Sequence, residues 1–111
     1  MKSENYIFES ETEWEAVGEG VSRQILGYDE KIMTVKVKFE VGAVGAIHKH
    51  SHVQTTYVAS GVFEFQICKE TKVVKAGDGL YMESDTLHGV KCIEEGVLID
   101  TFTPVRADFL K

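Results

Sequence analysis

Residues 42–61 read GAVGAIHKHSHVQTTYVASG, and three of the chain's four histidines fall inside this stretch. Extended backbone sends alternate side chains to opposite faces, so strict alternation puts His48, His50, His52 and Gln54 on one side of a strand. Neutral imidazole is the commonest metal ligand in proteins. Two of them on neighbouring same-face positions make half a coordination shell at little entropic cost. The fourth histidine, His88, must come from a distant strand to complete it. The bland alternative is a solvated strand edge.

The flanking sequence reads as strand on both sides. Over Lys31–Glu40, Met33, Val35, Val37 and Phe39 alternate with Thr34, Lys36, Lys38 and Glu40, a period of two with one wet face. Val62–Cys68 alternates likewise through Phe63, Phe65 and Ile67, and Lys69-Glu70 is expected to turn the chain into Thr71–Ala76. Gly77-Asp78-Gly79 is a turn signal. Further strands are expected at Val21–Tyr28, Ala46–His50, Gln54–Ala59, Leu80–Glu83, Leu87–Ile93 and Val97–Thr103. Helical periodicity is confined to a short candidate near Trp14–Val17, and Arg106–Leu110 reads as one helical turn or a tail. Many short, closely spaced strands mean an all-β sandwich or barrel. The Cys…Trp…Cys spacing of an immunoglobulin-like sandwich is missing.

With 111 residues the chain fits one compact domain, 1–111, able to bury a core without disulfide staples. The hydrophobic fraction of 43% and charged fraction of 27% are ordinary for a globular protein. A net charge of −6 argues against nucleic acid and against an anionic membrane surface as partner. It leaves room for a small acidic substrate, because local charge in a pocket can oppose the global charge. No apolar run is long enough to span a bilayer, and the N-terminal stretch lacks a signal-peptide core. The two cysteines, Cys68 and Cys92, form no CxxC pair and read as free thiols of a cytoplasmic protein, with a disulfide between them left open.

Val97-Leu98-Ile99-Asp100-Thr101-Phe102 is an apolar strand with one acid inserted. A buried carboxylate is costly unless paired or hydrogen-bonded, and such groups cluster at working sites, where burial brings the pKa into a useful range. The structural alternative is an ion pair, for example with Arg106. Arg106 follows the chain's one proline, Pro104, and offers a planar fork for a carboxylate, or else is a solvated charge. Tyr57 and Tyr81 are candidate pocket residues, amphipathic enough for core or cavity.

The spacing Gly42-x5-His48-x-His50-x3-Gln54-x6-Gly61 resembles the first motif of the cupin superfamily, with Gln54 where a Glu usually stands. Gly77 and His88 match the Gly and His of the second cupin motif, while Glu83, Asp85 and Cys92 depart from its Pro, Gly and Asn. The resemblance spans roughly residues 30–103. It implies a double-stranded β-helix (jelly-roll) barrel, one divalent transition metal on His48, His50, Gln54 and His88, and a homodimer. His52 falls outside the motif and reads as a loop or pocket-rim residue, with a swap of ligand role between it and Gln54 as the alternative. A Gln ligand brings a neutral carbonyl oxygen where Glu would bring a charge, leaving a stronger Lewis acid. Zn, Ni, Fe, Mn and Cu all remain compatible.

The run Gln54-x-x-Tyr57-Val58-x-Ser60-Gly61, then Phe63-Glu64-Phe65, and the C-terminal Leu98–Leu110 are similar to the KdgF-type pectin-degradation cupins. That resemblance implies ring opening of 4,5-unsaturated monouronates, from pectin or alginate breakdown, to the linear 5-keto-4-deoxyuronate. It assigns Asp100 the acid–base role and puts Phe102 and Arg106 against the small anionic sugar, Arg106 counting with Asp100 as catalytic; Tyr57 joins the substrate-binding candidates on its amphipathic character alone. The competing readings are a cupin-type metal-dependent oxygenase and a cupin that binds a sugar without turning it over.

Overall fold

The computed structural model describes residues 1–110. Eight strands follow in order: β1 Glu15–Gly18, β2 Val21–Tyr28, β3 Met33–Phe39, β4 Val44–His48, β5 Val53–Ile67, β6 Glu70–Lys75, β7 Gly79–Met82 and β8 His88–Thr103. All pairings are antiparallel, in the order β1-β2-β3-β8-β5-β6, with β4 on β8 and β7 on β5. This is the double-stranded β-helix barrel that the cupin resemblance implies, and it agrees with the all-β alternation pattern. Among the described residues no helix is long and apolar enough to cross a membrane.

The long strands β5 and β8 organise everything else. Their outer ends pair with each other, Gln54 opposite Phe102 and Ile67 opposite His88, so each strand runs through both halves of the barrel. The sequence reads as separate strands at Gln54–Ala59 and Val62–Cys68, and again at Leu87–Ile93 and Val97–Thr103. The structure joins each pair. Between them β5 and β8 shift register around Ser60, Val62 and Phe63. Gly61 there has φ +85, and a Cβ on it would come within 2.6 Å of the Gly96 backbone. A Cβ on Gly96 would collide with the Ser60 carbonyl. The glycines let two strands bend against each other without unpairing, which looks like a break in sequence and is a corner in space.

Other boundaries differ for similar reasons. The helical candidate Trp14–Val17 falls largely in strand β1, because Glu15 and Ala16 pair with Arg23 and Ser22 across the Gly20 turn and a short helix has no comparable partner. The hairpin after β5 turns at Cys68, whose φ is 55, one residue earlier than expected. The histidine stretch ends as a strand at His48, so His50 and His52 lie on a loop. The C-terminal candidate is a single 3-10 turn, Ala107–Phe109.

The inward residues of the alternating strands make the core. Phe39, Val58, Phe63, Phe65, Cys92 and Leu98 form one buried cluster, and Met33, Val35, Phe102 and Val105 a second. Phe63 is fully buried edge-on to Phe39, and truncating such a ring costs roughly 3–5 kcal/mol. Both cysteines are free, Cys92 in the core and Cys68 at the surface.

Candidate functional site

Strand β4 pairs with the start of β8 so that His48 stands directly opposite His88. The loop after β4 folds His50 back over them. Ring centroids lie 4.5 Å apart for His48 and His88, 5.0 Å for His50 and His88, and 5.6 Å for His48 and His50. One ring nitrogen from each lies within 4.8 Å of the others.

Each ring is oriented by the backbone close to it. The Nδ1 of His48, His50 and His88 lies 2.8, 3.1 and 2.9 Å from the carbonyl oxygens of Ala46, His52 and Thr86. A carbonyl has no proton to give, so in each case Nδ1–H donates and Nε2 keeps a bare lone pair. Burial holds His50 and His88 below the usual imidazole range, with the Arg106 charge pushing the same way. Three imidazoles with Nδ1 engaged by backbone carbonyls and Nε2 left to face a common point are a standard preparation for a metal.

Gln54 sharpens the test. Its Oε1 lies 3.0 Å from His50 Nε2, and its Nε2 donates to Thr56 Oγ1 at 3.0 Å. With the His50 proton on Nδ1, two acceptors face each other at hydrogen-bond distance. A cation held between them would resolve that conflict, with His50 Nε2 and Gln54 Oε1 both turning lone pairs to it. The donor set of three imidazoles and an amide oxygen fits a divalent transition metal without choosing among them.

The same strand that carries His88 carries the acid. Asp100 pairs in register with Val35 on one side and Thr56 on the other, between buried Leu98 and Phe102 on the inward face. Burial pushes its carboxyl up to about 6, against the hydrogen bond from Thr56, a further one from Gln54 and the charge of Arg106. Thr56 Oγ1 donates to Asp100 Oδ1 at 2.7 Å. Arg106 does not form the ion pair with Asp100 that the sequence leaves open. Its guanidinium makes a two-pronged contact with Asp108, at 3.1 and 2.9 Å, and stacks 5.1 Å from the Phe102 ring centre. A cavity of about 470 Å³ joins these groups, lined by His48, Gln54, His88, Asp100, Phe102 and Arg106 among others. That volume is ordinary for a small-molecule site.

The Cupin domain family profile matches residues 35–102, which contain β4 to β7, most of β3 and nearly all of β8. The chain belongs to the cupin family. This cupin is 47% identical over 107 residues to the pectin degradation protein KdgF of Dickeya dadantii (strain 3937), covering 95% of this chain and 97% of that one. Among solved structures it matches KdgF from Halomonas sp. with a TM-score of 0.93 and 34% identity, covering 97% of this chain and 100% of the other. It matches an RmlC-like cupin from Shewanella frigidimarina NCIMB 400 with a TM-score of 0.96 and 41% identity, covering 98% of each.

Two tyrosines considered for the pocket lie elsewhere. Tyr57 is 52% exposed and Tyr81 59% exposed, and neither lines the cavity. On β5 the inward positions are Gln54, Thr56 and Val58, so Tyr57, between them, points outward. His52 packs edge-on against the His50 ring, centres 5.5 Å apart, but directs its nitrogens elsewhere, Nε2 donating to the Val105 carbonyl at 3.1 Å and Nδ1 buried without a partner. It ties the histidine loop to the segment that carries Arg106.

Three residues at the cupin site escape the sequence reading. Thr56 bridges Gln54 and Asp100, and alternation from Gln54 is the signal that points to it. Arg23 lines the cavity from β2, where it interrupts the inward series Val21, Ile25. Phe109 lies between two guanidiniums, with Arg23 3.7 Å and Arg106 4.2 Å from its ring centre. Arg23 also pairs with Glu15 at 3.1 Å.

Proposed function

We propose that this cupin opens the ring of 4,5-unsaturated monouronates, the small end products of pectin or alginate cleavage, to the linear 5-keto-4-deoxyuronate. One observation carries the reading. A neutral His/Gln donor set, a carboxyl raised toward neutrality and a half-buried arginine meet in one cavity of a chain 47% identical to a pectin degradation protein.

His48, His50, His88 and Gln54 hold one divalent transition metal, which supplies Lewis-acid stabilisation to an anionic oxygen of the bound sugar. The substrate carries a carboxylate and a hemiacetal hydroxyl. The Arg106 fork, 14% exposed at its side chain, takes the carboxylate, exchanging part of its contact with the exposed Asp108 for the ligand. Phe102 forms an apolar wall for the sugar ring. Asp100 as carboxylate accepts the proton of the anomeric hydroxyl. The bond from C1 to the ring oxygen breaks as C1 becomes an aldehyde, and the released electron pair stays on the oxygen at C5 as an enolate. Asp100 returns the proton to C4, leaving a ketone at C5. No atom is gained or lost, so the step needs no oxidant.

Proton NMR of monouronate from exhaustively lyase-digested pectin tests this reading. The vinyl signal at C4 is expected to disappear with appearance of the linear ketone, faster with metal-loaded protein than without it. Bound sugar that keeps its vinyl signal would leave a binder, and oxygen uptake with oxidised products would leave an oxygenase.

A further inference from the structure

We propose that Thr56 is a positioning residue that makes Gln54 present its carbonyl oxygen, and not its amide nitrogen, to the metal. The inference rests on the metal centre of the preceding reading and not on the identity of the sugar.

A glutamine amide has two nearly isosteric ends, and only the oxygen can ligate a cation. Nothing in the glutamine itself decides which end faces the histidines. The neighbouring hydrogen bonds decide it. Thr56 is 3% exposed, so its hydroxyl has only protein partners. The hydroxyl carries one proton. It stands 2.7 Å from Asp100 Oδ1 and 3.0 Å from the Gln54 amide. A carboxylate only accepts, so the hydroxyl proton goes to Asp100. The Thr56 oxygen then has only lone pairs to offer Gln54, which answers with its NH2 end, the end that also faces the Asp100 carboxyl. The opposite end, Oε1, is thereby aimed at His50 Nε2, 3.0 Å away. The register makes this possible, because Thr56 lies two residues beyond Gln54 on the inward face of β5 and directly across from Asp100 on β8.

The arrangement compensates for a glutamine in a ligand position. A carboxylate ligand would offer oxygen from either end and need no such device. An amide ligand needs a neighbour that breaks the symmetry between its ends, and here the same hydroxyl also holds the acid.

The test compares Thr56→Val, which keeps the shape and removes the hydroxyl, with Thr56→Ser, which keeps the hydroxyl. Cobalt(II) binding to the metal-free proteins is followed by visible absorption and by titration calorimetry. Thr56→Val is expected to lose roughly 10–100-fold in metal affinity and to change the cobalt spectrum, while Thr56→Ser stays within about threefold of the parent. In a Gln54→Ala background the Thr56→Val change is expected to cost nothing further, because the residue it orients is gone. Unchanged affinity and spectrum in Thr56→Val would overturn the proposal. So would an equal loss in both backgrounds, which marks a general packing defect. These readouts do not involve the sugar, so a failed ring-opening assay leaves them intact.

Discussion

The two halves of β8 carry different chemistry and are built by different means. Its first residue, His88, joins His48 and His50 in a cluster whose orientation comes from backbone carbonyls at Ala46, His52 and Thr86, each two positions from its ring. Its far half carries Asp100 and Phe102 and leads to Arg106. There the geometry comes from a side chain on another strand, Thr56, and from the Arg106–Asp108 contact within the segment after the strand ends. The three rings take their orientation from nearby carbonyls, while Gln54 reaches them from β5 and is oriented through Thr56. The acid end exists only after β3, β5 and β8 have paired. Damage at the first should therefore show in metal binding, and damage at the second in turnover with metal still held.

The largest effect is expected from His88→Ala. His88 is 4% exposed and unites β4 with β8, so its loss should cost at least about 100-fold in metal affinity and bring turnover to the spontaneous rate. Metal content after dialysis reads the first directly. Asp100→Asn, whose side-chain oxygen can still accept from Thr56, should lower kcat by about 10²–10⁴-fold with metal still bound, which separates the two ends of the strand.

The same substitution should stabilise the metal-free fold at neutral pH. Asp100 binds its proton more tightly folded, with a pKa of about 6, than at its ordinary 3.8. Its contribution to stability is then fullest below pH 3.8, falls as pH rises through that interval, and is least above 6. Asn has no charge to bury, so it should gain up to about 3 kcal/mol at pH 7, measured by denaturant unfolding of both metal-free proteins across pH. A variant that is inactive and no more stable would mean that Asp100 is not held against its burial cost.

Arg106→Ala should raise KM by about 10–100-fold, the loss of one charge-assisted contact, with a smaller change in kcat. The smallest effect is expected at Tyr57. It sits on β5 between Thr56 and Val58 but faces outward, and Tyr57→Phe should leave both kinetic constants within about twofold.

The contrast between the ends also explains what could be read from the sequence. The His-x-His spacing and its glycines are short-range features that carry the cupin resemblance and with it the barrel, while strand alternation alone leaves sandwich and barrel open. Asp100 was legible because an acid between Leu98 and Phe102 breaks an apolar strand. Thr56 carried only its alternation from Gln54, since a threonine in a β strand is ordinary and its role depends on pairing across to Asp100. Arg23 and Phe109 come together only when β2 and the C-terminal turn pack against one cavity. The corner at Gly61 and Gly96 was misread as two strand breaks, because a glycine marks a bend without saying whether pairing continues through it. Tyr57 failed on parity, one position from an inward residue.

The most direct measurement follows the conjugated-alkene absorbance of unsaturated monouronate mixed with metal-loaded protein, with metal-stripped protein and with metal-loaded Asp100→Asn. Decay faster in the first sample than in both others is the expected result and ties ring opening to the two ends of β8 together. Equal decay in all three, with metal confirmed bound, would contradict it and leave the cavity to another ligand.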